Sequence, residues 1–227
     1  MRTQPGPEQI STDNKGAKMI KLYGMTMSAH TRKVQQTLLE LGCGFEFVVV
    51  DLMKGEQHKP GYMALNPGHK TPTLVDGEQV VVESNAILLY LADTYNRGTL
   101  IAQEGRDRWQ AIQWLVWAAA EAHGPLSKPW YEKVLFPLMG RPLNETALSQ
   151  AYEDAKEPLR VMEAVLSRQS YFGGQAFSIA DIALAESVHL LKWGGMDPSA
   201  YSHVAAWFEK ASARPAYVST RFVGQST

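Results

Sequence analysis

A single cysteine, Cys43, stands among the 227 residues. That excludes an intramolecular disulfide and any site built from several cysteines, and it fits a reducing compartment. No window approaches the roughly 20 consecutive apolar residues that a membrane-spanning helix needs. The formal net charge is only −1, which offers no broad attraction to nucleic acid or to an anionic membrane surface. The six histidines show no tight ligand spacing, so no metal site is expected. Internal repeats and low-complexity tracts are absent as well. The opening stretch MRTQPGPEQISTDNKGAK lacks the apolar core of a secretory signal. Its polar, Pro- and Gly-containing composition predicts a disordered tail over residues 1–18, with Met19 as an alternative start of the folded chain.

What is there suffices for a packed core: 45% of the residues are hydrophobic, and the length suits one large domain or two small ones. Residues 19–97 alternate strand and helix. MIKLY (Met19–Tyr23) reads as a strand. SAHTRKVQQTLLELG follows as a helix, with Val34, Leu38 and Leu41 on one face and Gly42 as its stop. FEFVVVDL (Phe45–Leu52) is a second strand, so the unit is a parallel crossover. A weak helical turn is expected near Gly61–Leu65. Thr73–Val75 and Val80–Val82 form a hairpin around Asp76-Gly77, and a helix over Ser84–Thr94 closes the unit. Gly98–Glu104 reads as a linker.

Beyond it the chain is all helical. Helices are expected over Gly105–His123, over Asn144–Leu166 with a kink or break near Pro158, and from Ser178 onward. There Ser178 and Asp181 form a capping box that is read as structural. A last amphipathic helix turns Val204, Trp207, Phe208 and Ala211 inward. Cys43, beside Gly42, reads as a small hydrophobe.

Four polar features of the N-terminal unit fall at strand ends and helix starts, where ligands of open α/β units bind. They are Ser28 before the first helix, Gln57 and His58 after the second strand, Thr71-Pro72 before the third strand, and Glu83-Ser84 at the start of the next helix. Each has a plain structural reading too: Ser28 and Ser84 as N-caps, Pro72 as a strand-edge proline.

The segments KLYGMTMSAHTRKVQQTLLELG, GEQHKPGYMALNPGHKTPTLVDGEQVVVESNAILLYLADTY and FSIADIAL resemble those of cytosolic glutathione transferases. The resemblance covers about residues 19 to 222. The spacing of the second segment is most like the plant phi-type and related bacterial serine enzymes. It implies a thioredoxin-like α/β domain over 19–97 and an all-α helical domain over 105–222. It also implies a dimer in the cytoplasm, glutathione as co-substrate, and conjugation of glutathione to a hydrophobic electrophile.

By that resemblance Ser28 contacts the glutathione sulfur, with Thr26 and Thr31 as rival hydroxyls. Thr71-Pro72 matches a cis-proline step whose Thr71 backbone pairs with the cysteinyl part. Glu83 and Ser84 grip the γ-glutamyl end. Gln57, His58 and Lys70 fall near the glycyl end, although family members often have Lys at the place of His58 and Gln at that of Lys70. The electrophile is expected near Met25, Met27, Trp114, Trp117, Glu121 and His123, with the tryptophans serving mostly as core. Chemistry agrees with the Glu83-Ser84 assignment: a helix N-terminus suits a carboxylate, and Glu83 beside it suits an ammonium. Two rival readings keep the same fold: a glutathione-dependent disulfide reductase or peroxidase, and a non-catalytic binding module.

Overall fold

In the computed structural model, the described residues are 19–95 and 99–220. The expected tail over 1–18, residues 96–98, which end the expected α/β unit and open the linker, and residues 221–222 lie outside them. Strand β1 (Ile20–Gly24) turns Ile20, Leu22 and Gly24 inward, in the two-residue alternation of a half-buried strand. It pairs in parallel with β2 (Phe45–Val49), with Ile20 opposite Phe45. Helix α1 (Ala29–Glu40) is the crossover between them. On its other edge β1 runs antiparallel to β3 (Thr73–Asp76), setting Leu22 against Leu74. Strand β4 (Gln79–Val82) returns beside β3, around a left-handed Gly77 at φ 62°, as the Asp-Gly pair predicts. The sheet order is β2-β1-β3-β4.

Strand β2 stops short of the expected Leu52, because Asp51 caps a 3-10 turn at Leu52–Lys54 by accepting from the Met53 and Lys54 N–H groups. A second such turn (Glu56–His58) leads into the short α2 (Pro60–Met63), which Pro60 opens one residue before the expected start. Helix α3 (Ser84–Tyr95) follows β4.

The helix expected to end at His123 does not end there. After α4 (Gly105–Trp117) come a π turn (Ala118–Ala122), α5 (His123–Trp130), a second π turn (Tyr131–Leu135) and α6 (Phe136–Leu138). Pro125 and Pro129 remove donors from this stretch. The wider turns, closed by the His123 N–H on the Ala118 carbonyl and the Phe136 N–H on the Tyr131 carbonyl, carry the chain past them. Helix α7 (Glu145–Leu166), capped by Asn144, also continues through Pro158, so of the expected kink or break the break does not occur. Pro158 and its neighbours Ala155, Leu159 and Met162 are buried, and that packing offsets one lost hydrogen bond.

Helix α8 (Ile179–Trp193) lies at the centre, with 12 of its 15 residues buried. Its start is built around Asp181. This carboxylate accepts from the Phe172 and Ser178 N–H groups, the Ser178 hydroxyl and the Trp207 indole, all at 2.8–2.9 Å. Helix α9 (Ser202–Ser212) turns Val204, Trp207, Phe208 and Ala211 inward as expected. The short α10 (Pro215–Ser219), which the sequence pattern does not announce, packs back against α1.

Helix α1 is therefore covered on two sides. Val34 and Leu38 join the sheet's core. Arg32, Lys33, Gln36 and Thr37 are buried too, on a helix that would otherwise read as one apolar stripe. The Arg32 guanidinium meets Glu186 of α8 at 3.3 Å, and Lys33 donates to Asn85 of α3.

Candidate functional site

The starts of α1 and α3 converge. Ser28 has extended backbone angles and its Oγ accepts from the Thr31 N–H at 3.3 Å, so it is the helix cap. A contact of 3.3 Å is long, and the hydroxyl hydrogen is not committed by it. Of the rival hydroxyls, Thr26 is exposed, whereas Thr31 is fully buried and packs on the inner face of β1. A Cβ on Gly24 would lie only 2.4 Å from the Thr31 methyl. Thr31 thus faces the protein interior and Ser28 the surface.

The peptide bond between Thr71 and Pro72 is cis, as the resemblance implies. The loop leading to it is pinned from behind by two residues that sequence reading passed over. Tyr62 donates to the Lys70 carbonyl at 2.6 Å and Asn66 donates to the same oxygen at 2.8 Å. Both also reach the buried Thr73 hydroxyl, at 3.0 and 3.1 Å. Asn66-Pro67-Gly68 was the available signal: an Asn that bonds its own backbone two residues on, here the Gly68 N–H at 2.9 Å.

Glu83 is exposed and left-handed, at φ 65°. Its carbonyl accepts from the Ile87 N–H, which makes Glu83 the capping position and Ser84 the first helical residue. The reading of Ser84 as the N-cap is corrected accordingly. Ser84 is buried, and its Oγ lies 3.3 Å from Nδ1 of His30 in the first turn of α1. The His30 ring lies 4.5 Å from that of His123, and His123 Nδ1 lies 3.1 Å from the Ser187 hydroxyl of α8. These groups, with Lys33, Glu83 and Asn85, line a cavity of about 160 Å³ between the α/β unit and the helices. Burial, then the nearby Lys33 charge, hold His30 down to about 2 and His123 to about 4. Both imidazoles are neutral at physiological pH. Burial also lowers Lys33 to about 8, against the pull of Glu186 and Glu83.

The remaining expected residues divide. Gln57 lies in the turn after β2, with its side-chain oxygen buried and without a hydrogen-bond partner among the described residues. His58 and His69 pair through Nδ1 atoms 3.1 Å apart at the exposed rim, and Lys70 is exposed. Met25 is half-buried, Met27 and Glu121 are exposed, and His123 reaches the cavity. Trp114 and Trp117 do not line it: they pack edge to face on each other, and Trp114 packs on Phe172, in the core of the helices. The aromatic side chains beside the start of α1 are others, Trp130, Tyr131 and Trp193, clustered with Ala29 and Leu190. Among the described residues, no group of three or more His, Cys, Asp and Glu side chains could hold a metal ion.

Residues 22–99 match the family described as glutathione S-transferase, N-terminal domain, and residues 129–215 match glutathione S-transferase, C-terminal domain. The chain is 38% identical to glutathione S-transferase F10 of Arabidopsis thaliana, over 83% of its own length and 90% of that protein's. The chain belongs to the glutathione S-transferase family. Another relative in this glutathione S-transferase family is transferase 3 of Zea mays, 36% identical over 88% of this chain and 92% of the other. Among solved structures, glutathione transferase F7 of Populus trichocarpa superposes with a TM-score of 0.82 at 29% identity, covering 89% of this chain and 97% of that one. Glutathione transferase URE2P8 of Phanerochaete chrysosporium, solved with oxidized glutathione, gives 0.79 at 31%, covering 91% and 95%. The α/β unit of this glutathione S-transferase is thus the thioredoxin-like domain of the family, and its remainder the all-helical one.

Proposed function

We propose that this transferase binds glutathione along the α1 and α3 starts and activates its thiol for attack on a hydrophobic electrophile. The observation that carries the reading is that the Ser28 cap, the Thr71-Pro72 edge and the Glu83-Ser84 turn follow or precede the same end of the sheet, where Tyr23 pairs with Thr73 and Thr73 with Val82, with a 3.3 Å contact between His30 and Ser84 joining two of them. In this reading the γ-glutamyl ammonium meets Glu83. Its α-carboxylate meets the Ser84 hydroxyl and the free N–H groups of α3. The Thr71 backbone pairs with the cysteinyl part as an added strand. Gln57, His58 and Lys70 face the glycyl end. Ser28 donates to the sulfur and stays neutral throughout.

A thiol titrates near 8.5. A hydrogen bond to the thiolate favours the charged form, and the start of α1 adds its dipole. The thiol proton passes to water. The thiolate then forms the C–S bond while the leaving group departs with its electron pair. The sole cysteine sits beyond the opposite end of α1, a helix of 12 residues or about 18 Å, and burial raises its thiol pKa. No protein thiol is therefore at hand for a relay through the protein, so the thiol to be activated is that of glutathione itself. Met25, Met27 and the Trp130 cluster supply apolar surface for the electrophile. Domain limits of 19–97 and 105–222, a cytoplasmic location and a homodimer complete the proposal. Exposed Trp109 and Val116 on α4 support self-association.

The test is an ultraviolet titration of protein-bound glutathione. A thiolate band that appears at least one pH unit below that of free glutathione supports the reading. A bound thiol that titrates like the free one removes thiol activation.

A further inference from the structure

We infer that His30 is a positioning residue for glutathione: its Nδ1–H donates to Ser84 Oγ and so commits the Ser84 O–H to the α-carboxylate of the γ-glutamyl group. The inference rests on the proposed assignment of Ser84 to that carboxylate, and it adds what decides the direction of the Ser84 hydrogen. A serine hydroxyl has one hydrogen and two lone pairs. Ser84 is buried, and its Oγ lies 3.3 Å from His30 Nδ1. If Ser84 donated to His30, it would turn only lone pairs toward an arriving carboxylate, which would be repelled. If His30 donates, the hydroxyl is free to donate outward, and a carboxylate at the start of α3 selects this arrangement.

Three neighbours fit His30 for the task. The His123 ring, 4.5 Å away, fixes the plane of its imidazole. Ser187 at 3.1 Å fixes His123 in turn. Lys33, three residues on along the same helix, donates to Asn85, the residue after Ser84. Burial of the ring first, and the Lys33 charge next, keep His30 neutral, with one N–H and one lone pair. The π turn sets His123 opposite His30, since the His123 N–H reaches Ala118 rather than the residue one ordinary turn back. The hydroxyl of the α/β unit is thereby oriented through a histidine held in place by the helical one.

The experiment compares calorimetric binding of two ligands. One is glutathione. The other is γ-aminobutyryl-cysteinyl-glycine, the same tripeptide without the α-carboxylate. Wild type should bind glutathione the more tightly. His30→Ala should weaken glutathione about 3- to 10-fold, the worth of one neutral hydrogen bond, and leave the analogue within about twofold. His30→Asn, whose amide N–H falls near the place of Nδ1, should restore most of the loss. His30→Gln keeps the polarity but carries its N–H one methylene further, so it should repeat the alanine result; it serves if the alanine variant does not fold. In a Ser84→Ala background, His30→Ala should add nothing further to the discrimination. Equal weakening of both ligands, or no weakening of glutathione, overturns the inference while leaving the site standing. A wild type that binds the two ligands alike overturns the Ser84 assignment as well.

Discussion

The tilted, closely packed pair of His30 and His123 should make this fold sensitive to mild acid. Both rings are neutral when folded, held from an ordinary 6.5 down to about 2 and about 4 by burial first and by Lys33 next. Because the folded values lie below the unfolded one, the unfolded chain takes up protons below pH 6.5 that the folded chain refuses. The stability is fully present above pH 6.5 and is lost as pH falls. At pH 5 the gap to an unfolded imidazole is about 1.5 units, or roughly 2 kcal/mol per ring at 1.36 kcal/mol per unit. Neither ring is wholly shielded from solvent, so the pair together should cost about 2–4 kcal/mol between pH 7 and pH 5. Lys33, lowered to about 8, stays charged across that window. Asp181 and Glu186, raised by burial, work in the opposite direction and are common to every variant. The comparison is urea unfolding of wild type and of the His30→Gln, His123→Gln double variant at pH 7 and pH 5. Wild type should lose about 2–4 kcal/mol more than the double variant over that interval. Equal losses in the two proteins would refute the account of the buried pair.

Ser28→Ala should raise the pKa of bound glutathione by about 1–2 units, the worth of a hydrogen bond to a charged acceptor. The lost cap, a long 3.3 Å contact, should cost only about 0.5–1 kcal/mol of stability; a variant that keeps a low thiol pKa would leave Ser28 as a cap alone. Asp181→Ala strands the Phe172 and Ser178 N–H groups and the Trp207 indole. It should cost about 3 kcal/mol or more in chemical denaturation, and a loss under 1 kcal/mol would mean that water replaces the carboxylate readily. Gly194→Ala would set a Cβ 2.5 Å from the backbone nitrogen of Trp130. A lower melting temperature, equivalent to about 1–3 kcal/mol, is expected, and an unchanged one would show that α8 and α5 part freely.

The sheet and its hairpin were legible because their signals are local: alternation in β1, an Asp-Gly turn, a proline before β3. Val34 and Leu38 likewise revealed the sheet-facing side of α1. Its other side was not legible. Arg32, Lys33 and Gln36 look like solvent-facing residues until α8, about 150 positions later, covers them. The same holds for the site. Ser28, Thr71 and Glu83-Ser84 stand at element ends that can be read one at a time, whereas His30 acquires meaning only when Ser84 and His123 meet it. The stripe of Trp114 and Trp117 has the spacing of any core helix, and nothing in that spacing tells a core from a pocket wall. The π turns escaped because proline predicts a lost donor without saying whether the helix breaks or widens.

Helix α1 is also tied to residues far downstream in the chain. Arg32 Nε donates to the Thr220 carbonyl at 3.0 Å across 188 positions, and Arg214 grips Glu40 with two bonds of 2.6–2.7 Å across 174. During synthesis at about 5–20 residues per second, roughly 10–40 s separate the making of Arg32 from that of Thr220. For that interval the nascent α/β unit carries a helix whose charged inner face awaits its cover. The elements that close over it are translated long after it, so a ribosome that stalls near residue 200 leaves a chain with its thiol-site helix still unlatched.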